Sequence, residues 1–177
     1  MGGVSADELV AVYDADGAEV GSATRARMRA EGLWHAATAV LVRSGDGTRV
    51  YVHRRTDTKD IYPGLHDCAA GGVIDAGEAP PAAAERELAE EYGIVGAALA
   101  PVFTMRIELP PVRMHLFAYE TRWDGPVTPQ DSEIAEGWWM PLAELRERLA
   151  GRDWPFVPDG RLVMERWFAE HDASAET

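Results

Sequence analysis

A single cysteine, Cys68, stands in the 177 residues, so no disulfide can close within the chain, and such usage suits a reducing compartment. Basic residues are scarce as well: 17 Lys and Arg against 30 Asp and Glu give a net charge of −13 at pH 7 with His neutral. That charge repels a nucleic-acid backbone, and no basic stripe overrides it. Small polyanions remain candidate ligands, provided Arg, Lys or a metal helps locally. No apolar run approaches the roughly 20 residues that span a bilayer, which argues against a membrane protein. The opening MGGVSADELV has neither a basic start nor an apolar core and does not read as a signal peptide, so the expected location is cytoplasmic. What is present is ordinary for a globular chain, with 46% hydrophobic and 27% charged residues. The length fits one domain, 1–177, better than two.

The segment ELVAVYDADGAEVGSA reads as two short strands around an Asp14-Ala15-Asp16-Gly17 turn. Thr24 is placed to cap a short helix that Gly32 ends, which makes 8–32 an N-terminal hairpin-helix extension. Residues 35–43 and 49–55 are β-rich runs joined at Gly45-Asp46-Gly47, and HDCAAGGVI reads as a further strand. Pro80 and Pro81 suit a helix start and Gly93 its end, predicting a helix over 80–92. Residues 102–109 and 112–123 form a predicted hairpin around Pro110-Pro111, IAEGWWMP closes the sheet, and helices follow at about 141–150 and 160–170. Strand alternation predicts one of Trp138 and Trp139 buried and the other exposed. The acidic tail 171–177 is expected to be mobile. The whole predicts an α/β domain with a mixed sheet and a core of about 34–170.

Within GGVIDAGEAPPAAAERELAEEYGI, Gly71 to Ile94, the predicted helix carries Glu85, Glu87, Glu90 and Glu91. Glu87 lies three residues before Glu90 and four before Glu91, so these side chains emerge on one face. Like charges at that spacing cost about 0.2–0.5 kcal/mol per pair in an isolated helix. Either the face is solvated or a positive species sits on it. Read by spacing, Gly72, Glu78, Arg86-Glu87-Leu88, Glu90-Glu91 and Gly93-Ile94 match each position of the Nudix box, a glycine-loop-helix signature. At ordinary residue frequencies, matches at so many fixed spacings arise by chance on the order of once in 10⁸ start positions, which disfavours the solvated-face reading.

The resemblance to Nudix hydrolases implies an α/β/α sandwich and metal-dependent attack of water on a diphosphate linkage, in a nucleoside diphosphate-type small molecule. It implies Mg²⁺, with Mn²⁺ as substitute, held by Glu87, Glu90, Glu91 and a backbone carbonyl of Gly71 or Gly72. One of the helix glutamates doubles as base, Arg86 braces them, and Glu78 supports the loop. Hard oxygen ligands suit such a cation. A further carboxylate is expected from QDSEIAEGWW, where Glu133, six residues before Trp139, is preferred to Glu136. The alternative leaves both as surface loop residues.

VHRRTDTKDIYPGLHDCAAGG, the N-terminal VYDADGAEVGSATRARMRAEGLWHAA and DWPFVPDGRLV resemble the Nudix branch that includes isopentenyl-diphosphate isomerase, so the likeness covers most of 8–168. That likeness implies diphosphate contacts from Arg55 and Lys59; the alternative makes Arg54, Arg55 and Lys59 surface partners of Asp57 and Asp60. The isomerase itself is disfavoured, because its catalytic cysteine position falls on Gly71, the histidine two residues later falls on Val73, and only His35 is retained. A silent, nucleotide-sensing Nudix domain is the third reading, and the intact box argues against it. Cys68 reads as a small buried residue, and His53, His66 and His115 as packed or hydrogen-bonded. Tyr62 and Phe103 are candidates to line the pocket. The extension 8–32 either covers the pocket or pairs with another subunit, a homodimer being the guess.

Overall fold

The computed structural model describes residues 5–175. β1 (Leu9–Tyr13) and β2 (Glu19–Thr24) form a hairpin, and α1 (Arg25–Glu31) follows, its first turn capped by the Thr24 hydroxyl, which accepts from Arg27 N–H. Gly32 ends α1 in the left-handed region, where a side chain is disfavoured.

β3 (Trp34–Arg43) is the spine of the sheet. On one edge it pairs in parallel with β8 (Val112–Arg122) along its full length, Trp34 opposite Arg113 through Arg43 opposite Arg122. Its other edge is shared by several short segments. Val12 of β1 meets His35, Val73 meets Ala37, β6 (Ala69–Ala70) meets Val40 and Leu41, and β4 (Arg49–Arg55) meets Arg43. β5 (His66–Asp67) pairs instead with β4, and β9 (Ile134–Pro141) covers β4 along its length. β7 (Ala100–Leu109) completes the far edge against β8. The predicted strand HDCAAGGVI is therefore divided. The chain leaves β4 after Asp67 and joins β3 at Ala69, so Cys68 is the crossing point.

Alternation along the strands sends side chains into two separate cores. Val40, Val42 and Tyr51 pack with Ala84, Leu88 and Tyr92 of α2 (Pro80–Tyr92) on one face. Leu41, Val50 and Val52 pack with Leu145 and Leu149 of α3 (Leu142–Gly151) and with Met164 and Trp167 of α4 (Pro158–Ala175) on the other. This is the expected α/β/α sandwich around a mixed sheet. The two-sided cover corrects one expectation. Trp138 packs into the α3–α4 core and Trp139 into the α2 core, so neither is exposed. Helix α4 continues through Ala175 with His171 stacked on Trp167 (centroids 3.5 Å apart); residues 176–177 of the tail lie outside the described residues. Among the described residues no helix is long and apolar enough to cross a membrane.

Candidate active site

The glycine loop is held against β3 by its backbone. Thr38 N–H donates to the Gly72 carbonyl (2.9 Å) and Ile74 N–H to that of Ala36 (2.9 Å). A Cβ at Gly71 would run into the Thr38 carbonyl oxygen, and one at Gly72 would overlap the Glu87 carboxylate. The backbone leaves no room for a side chain at Gly71, and one at Gly72 would displace the Glu87 carboxylate. The same crowding disposes of a catalytic side chain at 71, the isomerase's cysteine position. Cys68 is buried in the core, where desolvation pushes its thiol well up.

Helix α2 starts at Pro80 without a side-chain cap, and Gly93 closes it, donating to the carbonyls of Ala89 and Leu88. Its buried positions are Ala83, Ala84, Leu88, Glu91 and Tyr92, so Glu91 occupies a place on the apolar stripe. Glu91 is 6% exposed, and the Glu87 side chain 13%, whereas the Glu90 side chain is 55% exposed at the rim. Burial raises Glu91 far above the usual carboxylate range, with the charge of Glu87 adding to the effect. Against this, the Gly71 amide donates to Glu91 Oε2 (3.1 Å). Glu87 is also raised by burial, with Arg86 opposing.

Arg86 is the brace. Its Nε and Nη2 reach both oxygens of Glu78 (2.9 Å each), and its Nη1 donates to Glu87 Oε1 (2.7 Å) and, more weakly, to Glu90 Oε2 (3.4 Å). The fork-to-fork pairing lowers Glu78 and raises the guanidinium. Glu78 in turn accepts from the Asp75 amide (3.2 Å), so the loop, Arg86 and α2 form one connected unit.

Across the cleft Lys59 forms an ion pair with Glu133, and both side chains are only 14% exposed. Glu133 lines the same cleft as Glu87, Glu90 and Glu91, together with Gln130, Glu8 and Arg25. Glu136 turns elsewhere, to Arg54 (3.6 Å). The three cations of the loop divide. Arg54 is the surface partner of Asp57 (3.1 Å), while Arg55 and Lys59 face inward on a second cavity that opens beside the box and shares Lys59, Arg25 and the 71–73 backbone with the acidic cleft.

The histidines are engaged. His53 is hydrogen-bonded to Tyr92 Oη (2.7 Å), His66 to the Pro155 carbonyl (3.0 Å) and His115 to the Asp14 carbonyl (2.9 Å). Burial lowers His53 to about 3 and His35 to about 4, so neither carries charge at neutral pH. Tyr62 lines the second cavity; Phe103 instead packs against the core under Arg166. Sequence reasoning missed Arg25 and Arg29 of α1 and Asp159 of α4, all lining that cavity. The four-residue spacing of the two arginines puts them on one helix face, but only the packing of the extension over the cavity shows which way that face looks.

The residues fit a hard divalent ion by donor chemistry: every side chain offered is a carboxylate, and two of them are buried at a cost that a cation would offset. Among the described residues no three His, Cys, Asp or Glu side chains are already arranged to hold an ion. Arg86 and Lys59 occupy the carboxylates instead. Mg²⁺ needs only one or two carboxylates beside water and phosphate oxygens, so the donor set suffices. The Gly72 carbonyl, engaged by Thr38, retains one lone pair, and the amide of Gly71 faces Glu91.

Residues 33–160 match the NUDIX domain family. The chain is 52% identical over 168 residues to an uncharacterized Nudix hydrolase, orf19, of Rhodococcus erythropolis, covering 90% of this chain and 91% of that one. Its fold is similar to the crystal structure of DR0079 from Deinococcus radiodurans, with a TM-score of 0.77 at 21% identity over 90% of this chain and 98% of that one. It is also similar to the NUDIX domain of Shewanella oneidensis NrtR complexed with ADP ribose, with a TM-score of 0.62 at 17% identity over 77% and 88%. The glycine loop, the braced glutamate helix and these matches together make the chain a member of the Nudix family, a hydrolase acting on acid anhydrides in phosphorus-containing compounds.

Proposed function

We propose that the chain hydrolyses a diphosphate linkage in a nucleoside diphosphate-type or comparable small organic molecule, using Mg²⁺ or Mn²⁺. The observation that carries this reading is the gathering of Glu87, Glu90, Glu91 and Glu133 around one cleft, with Arg86 fixing their helix to the glycine loop. Glu87, Glu90 and Glu91 would hold the metal, with the backbone at Gly72 and the Glu133 carboxylate completing its surroundings. The ion supplies neutralisation of phosphoryl charge and a lowered pKa for water. Arg86 keeps Glu87 in place, and Glu78 keeps Arg86 in place. Glu90, at the open rim, is the group that accepts the proton of the attacking water. Arg55 and Lys59 offer cationic donors to the phosphate oxygens, offsetting the negative field of the protein. The ADP ribose bound to the NrtR domain supports a nucleotide as one reference substrate. A cytosolic setting agrees with the buried, unpaired thiol.

The test is phosphate and monophosphate release from a panel of nucleoside diphosphates, nucleotide sugars, dinucleoside polyphosphates and simple organic diphosphates, with and without Mg²⁺. Glu90→Gln is expected to lower metal-dependent release at least 100-fold with the circular dichroism unchanged. Release at the parent rate in that variant contradicts the assignment.

A further inference from the structure

The cavity beside the glutamate cleft is built for something the box itself does not hold. It lies between α1, the 55–62 loop, β3, β8 and the start of α4. One side is cationic: Arg25, Arg29, Arg55 and Lys59 line it in a chain of net charge −13. Asp60, Asp67 and Asp159 also line it, and the apolar part is mostly aliphatic, from Ala37, Ala39, Ile61, Met114, Leu116 and Val163. Five buried side-chain polar atoms have no hydrogen-bond partner among the described residues, and four belong to residues lining this cavity: Arg29 Nε, Arg55 Nε, Thr38 Oγ1 and Asp159 Oδ1. Buried polar groups are nearly always satisfied, by protein or by ordered water, so such a concentration marks a polar lining whose partners are water or a ligand. Arg29 Nε is 3.7 Å from Asp60 Oδ2, beyond hydrogen-bond reach, and Arg55 spends only its Nη2 on the Ile61 carbonyl (2.9 Å). These are donors that ask for oxyanions. Asp159 presents an acceptor at the start of α4; burial raises its carboxyl above the usual aspartate range, with the Gly160 and Asp159 amides opposing.

Rings to stack a base are few. Tyr62 and His35 are the aromatic side chains of the lining, whereas Trp34 is engaged with His115 and Arg106, Trp154 with His66 and Phe156, and Trp167 with His171 and Phe168. Single-strand and nucleotide binders stack bases on such faces; aliphatic walls reward aliphatic matter instead. Resting on the reading that the neighbouring cleft takes the diphosphate, we infer that this cavity holds the substrate's organic group, and that the group is compact, largely aliphatic and carries a hydroxyl or amine that donates to Asp159. Arg29 joins Arg55 on the diphosphate oxygens at the cavity mouth.

Binding is read by titration calorimetry with three non-hydrolysable methylenebisphosphonates in the presence of Mg²⁺: butyl, 4-hydroxybutyl and adenosine 5′. The hydroxybutyl compound is expected to bind roughly tenfold tighter than the butyl one, as a hydrogen bond to a charged group allows, and tighter than the adenosine compound. Asp159→Leu is expected to erase the difference between the two alkyl compounds, and Asp159→Asn, which keeps an acceptor, to retain most of it. Ala39→Leu, which fills the aliphatic floor, is expected to weaken both alkyl compounds at least fivefold. Tightest binding by the adenosine compound, or no effect of the hydroxyl, overturns the inference. Hydrolysis of the matching diphosphates is scored separately: the binding pattern without turnover would sink the hydrolase mechanism alone, and turnover without the pattern would sink the cavity assignment alone.

Discussion

Two buried carboxylates show how differently the fold treats negative charge. Asp67 lies at the end of β5 with its Oδ1 accepting from Cys68 N–H (2.7 Å), and burial, followed by the charge of Asp159, raises it to about 7. Because the folded protein holds that proton more tightly than the unfolded chain, its contribution to stability is complete below the ordinary aspartate pKa of about 3.9 and is lost as pH rises through about 7. Thermal unfolding in a chelator is therefore expected to show a midpoint that declines between pH 4 and 7, and Asp67→Asn to flatten part of that decline, since the amide oxygen can still accept from Cys68. An unchanged pH profile in the variant would remove Asp67 as the cause. Glu91 differs in kind. Its raised pKa reflects a charge buried on the apolar stripe of α2, next to Glu87, which Lys59, the Gly71 amide and Arg55 only partly offset. Nothing in core packing asks for it there; the divalent ion of the proposed function would offset its charge.

At the scale of elements, the glycine loop and α2 act as one piece through Arg86. Gly72→Ala is expected to displace Glu87, lowering metal-dependent hydrolysis at least tenfold while costing only about 1–3 kcal/mol of stability. Arg86→Ala is expected to do the same by freeing Glu78 and Glu87 together, measured by hydrolysis rate alongside denaturant unfolding. Parent-level activity in both variants would mean that the brace is not needed. This unit was legible in the sequence because both helix ends carry local signals, Pro80 and Gly93, and because the glutamate spacing fixes a common face without reference to the rest of the chain. The division of HDCAAGGVI was not legible, since a change of partner strand at Cys68 leaves no local mark. Nor was the fate of Trp138 and Trp139. Alternation assigns opposite faces but does not say that helices cover both.

Over the whole molecule, the mixed α/β sheet and most element boundaries followed from periodicity and turn chemistry, the sandwich followed from the resemblance to Nudix hydrolases, and the box located the cleft. Spacing to Trp139 already favoured Glu133 over Glu136, whereas the separation of Arg54 from Arg55 and Lys59 and the arrival of Arg29 and Asp159 at one cavity depend on tertiary packing between segments more than 70 residues apart. A chain of net charge −13 concentrates four of its cations around that cavity and sets an acidic cleft beside it. Such a pairing suits an anion bridged to metal on one side and to guanidinium on the other. The central claim, that the α2 glutamates are tolerated because divalent ions sit among them, is tested most directly by a Mn²⁺ titration followed by electron paramagnetic resonance, with adenosine 5′-methylenebisphosphonate present. The parent protein is expected to remove at least one equivalent of free Mn²⁺, and the Glu87→Gln/Glu91→Gln double variant, still folded by circular dichroism, to remove none. Equal uptake by both proteins, or no uptake by the parent, would contradict the account.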